Sequence, residues 1–251
     1  MIGHIIADKI NAKARQYNPT SHLNRQGDRL HSISSLDHTH QKTLLECVAS
    51  LAGIYWGPDA EGSRDLLRGI YLKPFEALQP IAGYEPPGII DELKGIGTSF
   101  TDKDEIFQCL EQTYVRLFIN SRDGSIAPLY ASCYEAGSAP GQDAPLMGPP
   151  AVFMKERFES KGLSLGDHIH EPPDHLSIEL EYLYFLLEKG LSEDDAALQN
   201  EAVSFADEIM LPWVIKFQKR LVAVETKCRF YQLTTSILYA ILRFIGASDK
   251  S

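Results

Sequence analysis

The chain is poor in the features that mark most enzyme classes. Its four cysteines, Cys47, Cys109, Cys133 and Cys228, stand far apart and form no Cys-x-x-Cys pair. A zinc ribbon therefore lacks its ligand spacing, and a disulfide framework is not expected in a chain of 251 residues. Reduced thiols and a cytoplasmic location are the expectation. Basic residues are also scarce: 24 Lys and Arg face 34 Asp and Glu, giving a net charge of -10 and a pI near 5.3. Nucleic-acid wrapping needs a basic footprint, so the balance argues against nucleic-acid partners and favours cationic ones. The most apolar stretch, between Arg229 and Arg243, falls short of the roughly 20 residues of a spanning helix, so no stable membrane insertion is expected. Met1-Ile2-Gly3-His4-Ile5-Ile6-Ala7 meets Asp8 before a signal-peptide core develops, and nothing there marks the chain for export.

Catalytic motifs are missing as well. Gly95-Ile96-Gly97-Thr98 has no strand before it and no Gly-Lys-Ser/Thr after it, which leaves a nucleotide-regulated switch without its usual loop. Ser125, Ser132 and Ser138 lie in a Gly-rich stretch, and none sits in the Gly-x-Ser-x-Gly elbow of a nucleophilic hydrolase. No run alternates convincingly as a strand, so the predicted class is all-α, and no cofactor is expected.

Helical periods are what the sequence does contain. Leu44, Leu45, Val48, Leu51, Ala52 and Tyr55 share one face of a helix from Thr43 that stops at Gly57-Pro58-Asp59. Leu66, Leu67 and Ile70 mark a second helix, broken by Pro74 and Pro80, before a Gly/Pro-rich connection with a short helix near 89–93. Thr101 with Asp104 reads as an N-cap, followed by the face Ile106, Phe107, Leu110, Tyr114, Leu117 and Phe118. Pro149-Pro150 opens another helix, closed by Gly162. Ser192 with Glu193, Asp194 and Asp195 predicts a capped start for a helix towards Met210, and Pro212 kinks or restarts it. A last helix runs from Phe230 to Gly246. The expected organisation is a polar extension over residues 1–40 and one helical domain over 41–250. Its halves, about 41–118 and 149–247, are joined by a Gly/Pro-rich loop, 119–148, that is a candidate binding loop.

The chain is organised around Asp167-His168-Ile169-His170-Glu171-Pro172-Pro173-Asp174-His175, where three histidines and three carboxylates crowd into nine residues. Pro172 pushes Glu171 towards an extended conformation, and Pro173 suits the first turn of a helix, which places Asp174 and His175 at its N-terminus. Behind them Leu176, Leu180, Leu183, Tyr184 and Leu187 recur at helical spacing, with Gly190 where a C-terminal cap is expected. Such a cluster is a proline-containing hinge with a recognition role or a metal site. The metal reading rests on His168, His170 and His175 with Asp174, ligand types that zinc or iron uses, although no standard zinc spacing is matched. His38-Thr39-His40 offers only two ligands.

Several segments in order carry a resemblance. They are Leu51-Ala52-Gly53-Ile54-Tyr55-Trp56-Gly57-Pro58-Asp59, Tyr114-Val115-Arg116-Leu117-Phe118, Ala127-Pro128-Leu129-Tyr130-Ala131-Ser132, Leu146-Met147-Gly148 and Glu171-Pro172-Pro173-Asp174-His175-Leu176. Together they resemble the TorD/DmsD/NarJ family of cytoplasmic chaperones for molybdenum-cofactor enzymes, from about Thr43 to Gly246. The strongest element is the Glu-Pro-x-Asp-His core at Glu171, Pro172, Asp174 and His175.

The resemblance implies a non-enzymatic all-helical protein that binds the apo catalytic subunit of a molybdopterin oxidoreductase, or its twin-arginine leader, until the cofactor is inserted. On that reading Glu171 and Asp174, with Pro172 and His175, receive the arginines, and Tyr114, Leu117, Phe118 and Tyr130 supply apolar surface. Arginine suits carboxylates because it binds them bidentately. The bland alternatives are that Tyr114, Leu117 and Phe118 are core, that Asp174 caps its helix and that His175 fixes the hinge. The chain is expected to be a monomer or, through the Pro172-Pro173 hinge, a domain-swapped dimer.

Overall fold

The computed structural model describes residues 10–12, 33, 35–119, 125–135 and 146–246. Most of the polar extension, the loop positions Gly124, Gly137, Pro140, Gly141 and Pro145, and Ser138 lie outside the described residues.

The chain is built from helices, as the apolar periods predict. Helix α1 (His38–Trp56) is capped by Asp37, whose carboxylate accepts the His40 amide at 2.8 Å. It ends at Gly57, whose φ of 115° only glycine adopts easily. Helices α2 (Ala60–Leu67), α3 (Lys73–Ala82), α4 (Ile89–Thr98) and α5 (Lys103–Tyr114) follow. The chain does break ahead of Pro74, which sits in the first turn of α3, where its missing N–H costs nothing; no break occurs at Pro80, which is carried inside that helix. Ile70 falls outside α2 and is 44% exposed. The cap of α5 is Asp102 rather than Thr101, its side chain accepting the Asp104 amide at 3.0 Å.

A π-helical turn, Val115–Ile119, continues α5, and a single 3₁₀ turn spans Ala131–Tyr134. Helix α6 (Pro149–Ser160) opens on its two prolines and is followed by Gly162 at a φ of 68°. Among the described residues extended pairing is confined to a short antiparallel pair, β1 (Ile10–Ala12) with β2 (Leu163–Leu165), and one isolated bridge, Tyr130 with His175. Three-residue strands are too short for alternation to be seen in sequence.

Helix α7 (Leu176–Ser192) is the centre of the molecule, and its longest contact is with α1. It does not stop at Gly190. That glycine is helical, and a Cβ there would sit 3.0 Å from both Cγ and N of Gln199, so its smallness serves close packing rather than a cap. The next cap is Asp195, whose carboxylate takes the Ala197 and Leu198 amides and starts α8 (Ala196–Ser204). The helix then widens to π form over Phe205–Met210, ahead of Pro212 in the first turn of α9 (Leu211–Val222). A proline cannot donate to the preceding turn, and the π stretch absorbs the lost bond. Helix α10 (Phe230–Gly246) closes the core with one face of Leu233, Ile237, Leu238, Ile241 and Ile245. Among the described residues no helix is long and apolar enough to cross a membrane.

Candidate functional site

The sequence cluster lies where the stretch 129–132 is strapped to the start of α7. Leu176 donates its amide to the Leu129 carbonyl at 2.8 Å and Ala131 donates to the Asp174 carbonyl at 3.1 Å, so Tyr130 and His175 face each other as an antiparallel bridge. Over residues 125–135 the candidate binding loop is folded in as this strap, with Ala127, Leu129, Ala131, Cys133 and Tyr134 buried; its positions 120–124 and 136–145 lie outside the described residues.

Each member of the cluster then has a distinct task. Asp174 is completely buried, and its Oδ2 accepts both the amide (2.8 Å) and the hydroxyl (2.5 Å) of Ser132. It does not cap α7. His175 is the N-cap, its Nδ1 accepting the Ser177 amide at 3.2 Å while the ring stacks on Trp56 with centroids 5.0 Å apart. Tyr130 meets the same ring edge-on at 5.3 Å. Glu171 is only half-buried and accepts the Tyr130 hydroxyl at 2.6 Å. Burial, followed by that contact and the charge of Glu171, pushes the Tyr130 phenol well above its ordinary range. Tyr114 is also half-buried, donates to the Tyr55 carbonyl at 2.9 Å and feels the charge of Glu171.

The expected apolar surface is therefore only partly a surface. Leu117 is 0% and Phe118 3% exposed, with Phe118 edge-on to Tyr55, Tyr114 and Tyr231, so both are core. They continue the face of Ile106, Leu110 and Tyr114 through the π turn, in which Val115 and Ile119 are the exposed positions. Glu171, Pro172, Tyr130 and Tyr114 stay partly accessible, whereas Asp174 and His175 are buried and act from behind.

The metal reading gathers no site here. His168 and His170 are exposed, His175 is turned to the α7 backbone, and among the described residues no three His, Cys, Asp or Glu side chains group as metal ligands.

Sequence reasoning missed the carboxylates inside α7. Glu179 and Glu181 are 0% and 2% exposed, and each takes the indole N–H of one of the chain's two tryptophans: Trp213 to Glu179 at 3.0 Å, Trp56 to Glu181 at 2.7 Å. Burial, and then the charge of Asp174, raise the Glu179 carboxyl well above the usual carboxylate range. Two glutamates set among Ile178, Leu180, Tyr182 and Leu183 were the available signal. Ser132 stands in the sequence as a rejected nucleophile and as the end of the Ala127–Ser132 segment, with nothing to mark it as the partner of Asp174.

A family model described as "Nitrate reductase delta subunit" matches residues 87–219, more than half of the chain. The chain belongs to the nitrate reductase delta subunit family. That segment of the delta-subunit family runs from just before α4 into α9 and contains Tyr114, Tyr130, the Glu171–His175 cluster and Glu179. The resemblance to TorD and NarJ proteins seen in the sequence is thereby borne out. Relatives named "Chaperone protein TorD" are 28% identical over 133 residues in Histophilus somni (53% of this chain, 61% of that protein) and 31% over 140 residues in a Psychrobacter species (54% and 58%). A third, from Photobacterium profundum, is 24% identical over 185 residues, covering 72% of this chain and 78% of its own. The chain thus spans about three fifths of the length of the first two relatives. A solved structure described as a putative redox enzyme maturation protein from Archaeoglobus fulgidus is 21% identical, covers 81% of this chain and 93% of its own, and superposes with a TM-score of 0.46.

Proposed function

We propose that the protein is a maturation chaperone for a redox enzyme, acting in the cytoplasm without chemistry of its own. On this reading it binds the apo catalytic subunit of a molybdopterin oxidoreductase, or its twin-arginine leader, and assists cofactor insertion before export. Membership of the delta-subunit family and the named TorD relatives support this reading.

The observation that carries it is the placement of Glu171. Its carboxylate is half-buried, bordered by Pro172 and oriented by the hydroxyl of Tyr130, which lies on a strap fixed by Asp174–Ser132 next to the His175–Trp56 stack. A preorganised carboxylate beside aromatic surface suits a guanidinium, because little side-chain freedom is lost on pairing. Glu171, Tyr130, Tyr114 and Pro172 are the contact residues in this proposal. Asp174 and His175 are positioning residues, and Leu117 and Phe118 support the aromatic floor.

The test is calorimetry with a peptide carrying the twin-arginine leader of a molybdopterin oxidoreductase catalytic subunit. Glu171→Gln should weaken binding roughly tenfold, about 1.4 kcal/mol, at an unchanged melting temperature. Tyr130→Phe should weaken it less. Equal affinity in wild type and both variants would remove the recognition role.

A further inference from the structure

A groove of about 440 Å³ lies between α6, the turn Ala131–Tyr134 and the stretch that leads through Pro212 into α9. Its walls are apolar: Pro149, Pro150, Phe153, Ile209, Pro212 and Trp213. Phe153 is 37% exposed, so part of this wall is open to solvent.

Glu135, Glu179, Glu208 and Lys216 are its charged or titratable lining residues; the Lys216 amino group donates to the Tyr134 carbonyl at 2.6 Å, and Arg220 and Arg157 lie over the Tyr134 and Phe153 rings at 4.6 and 4.5 Å. Glu179 is the decisive residue. It is fully buried, its Oε2 is taken by the Trp213 indole, and its Oε1 has no hydrogen-bond donor among the described residues. A buried carboxyl oxygen without a donor calls for an explanation, and one lining a groove is placed to receive a donor from a ligand.

We propose that this groove is a second docking surface, which takes an apolar segment of a partner polypeptide carrying one arginine whose guanidinium is received by Glu179 Oε1. Several features select that occupant. A guanidinium brings five N–H donors and a fixed positive charge, so it satisfies Oε1 and offsets the surrounding acid. Aliphatic neighbours on the same segment match Phe153, Ile209 and the prolines. Asp174 acts on Glu179 as a neighbouring negative charge, and Lys216, already bonded to the Tyr134 carbonyl, is the cation in the lining. In the empty groove burial and Asp174 favour the protonated Glu179, so an arriving guanidinium displaces that proton to solvent.

The inference rests on the reading that the chain binds a polypeptide, but it uses other residues than Glu171 and Tyr130. The test uses the full chain and two acetylated, amidated heptapeptides of alternating leucine and alanine, one with arginine at the centre and one with neutral citrulline. Calorimetry on wild type should show the arginine peptide binding about tenfold more tightly, with proton release at a pH where the free protein holds the Glu179 proton. Glu179→Gln should abolish both the preference and the proton release. Glu208→Gln, at an exposed position, should reduce the preference without touching a buried bond, and Phe153→Ser should weaken both peptides. No saturable binding, equal affinities in wild type, or an arginine preference that survives in Glu179→Gln would each overturn the proposal. A leader-peptide titration of the same proteins reports on the Glu171 site separately, so each reading stands or falls on its own result.

Discussion

Ser132 gives both its amide and its hydroxyl hydrogen to one oxygen of Asp174, at 2.8 and 2.5 Å, in a place with no access to water. This double bond of contacts, more than any proline, fixes the strap that carries Tyr130 to Glu171. Hydrogen bonds to an ionised acceptor are stronger than neutral ones, and losing the acceptor would strand a buried N–H.

Asp174→Ala should therefore cost about 2 to 4 kcal/mol of stability in urea unfolding. Asp174→Asn keeps an acceptor for Ser132 and should cost less. If Asp174→Ala unfolds at the parental urea concentration, the strap is held by something else.

Glu179 predicts a particular dependence on pH. Its folded pKa lies well above the ordinary value near 4.5 because of burial and then Asp174. Between the unfolded pKa and that raised value the folded chain holds a proton that the unfolded chain has released, so this group's contribution to stability falls as pH rises, by at most about 1.4 kcal/mol per unit. Glu179→Gln carries no such proton, and its amide can donate where Oε1 cannot when ionised. Its stability relative to wild type should improve as pH rises above the ordinary carboxylate value near 4.5. A difference that stays constant with pH would contradict the assignment.

Gly190→Ala tests the close approach of α7 and α8. The new methyl would meet Cγ and N of Gln199 at 3.0 Å, and Gln199 also donates to the Gly190 carbonyl at 2.8 Å. Overpacking of this kind should cost about 1 to 3 kcal/mol, whereas a glycine placed only for helix termination on the surface would tolerate the change far better. Thermal melts of the two proteins decide between them.

The thiols should separate on alkylation of the native protein. Cys47, Cys133 and Cys228 are 0%, 3% and 3% exposed, and burial pushes the Cys228 thiol up to about 12. Cys109 is only half-buried. Brief treatment with iodoacetamide followed by peptide mapping should find Cys109 modified first, because the thiolate is the reactive form and needs access. Early labelling of Cys47 would indicate that α1 opens from the core.

The helices were legible because burial leaves a period in the sequence. The faces Leu44 to Tyr55 and Phe230 to Ile245 both appear as expected, and Pro149-Pro150 and Gly162 bracket α6. Ends were less legible. At the start of α5, for example, Thr101 and Asp102 are both good capping residues, and only the path of the chain chooses Asp102. Gly190 carried the composition of a helix end but serves a helix contact, since a missing side chain looks the same in sequence in either role.

For the site, the sequence by itself determined which residues are unusual: the Glu171-Pro172-Pro173-Asp174-His175 run is too polar and too rigid for an ordinary core helix. It also determined the all-α class, because 3.6-residue periods record which side of each helix is buried. Only the tertiary structure decided which of those residues face outward. Leu117 and Phe118 pack into the core, the 129–132 strap covers Asp174 and His175, and Glu171 stays half-open. It also decided that Glu179 and Glu181 lie buried against the two tryptophans. The physical reason is that a period along one helix fixes a face, whereas exposure and charge depend on what other segments lay against that face.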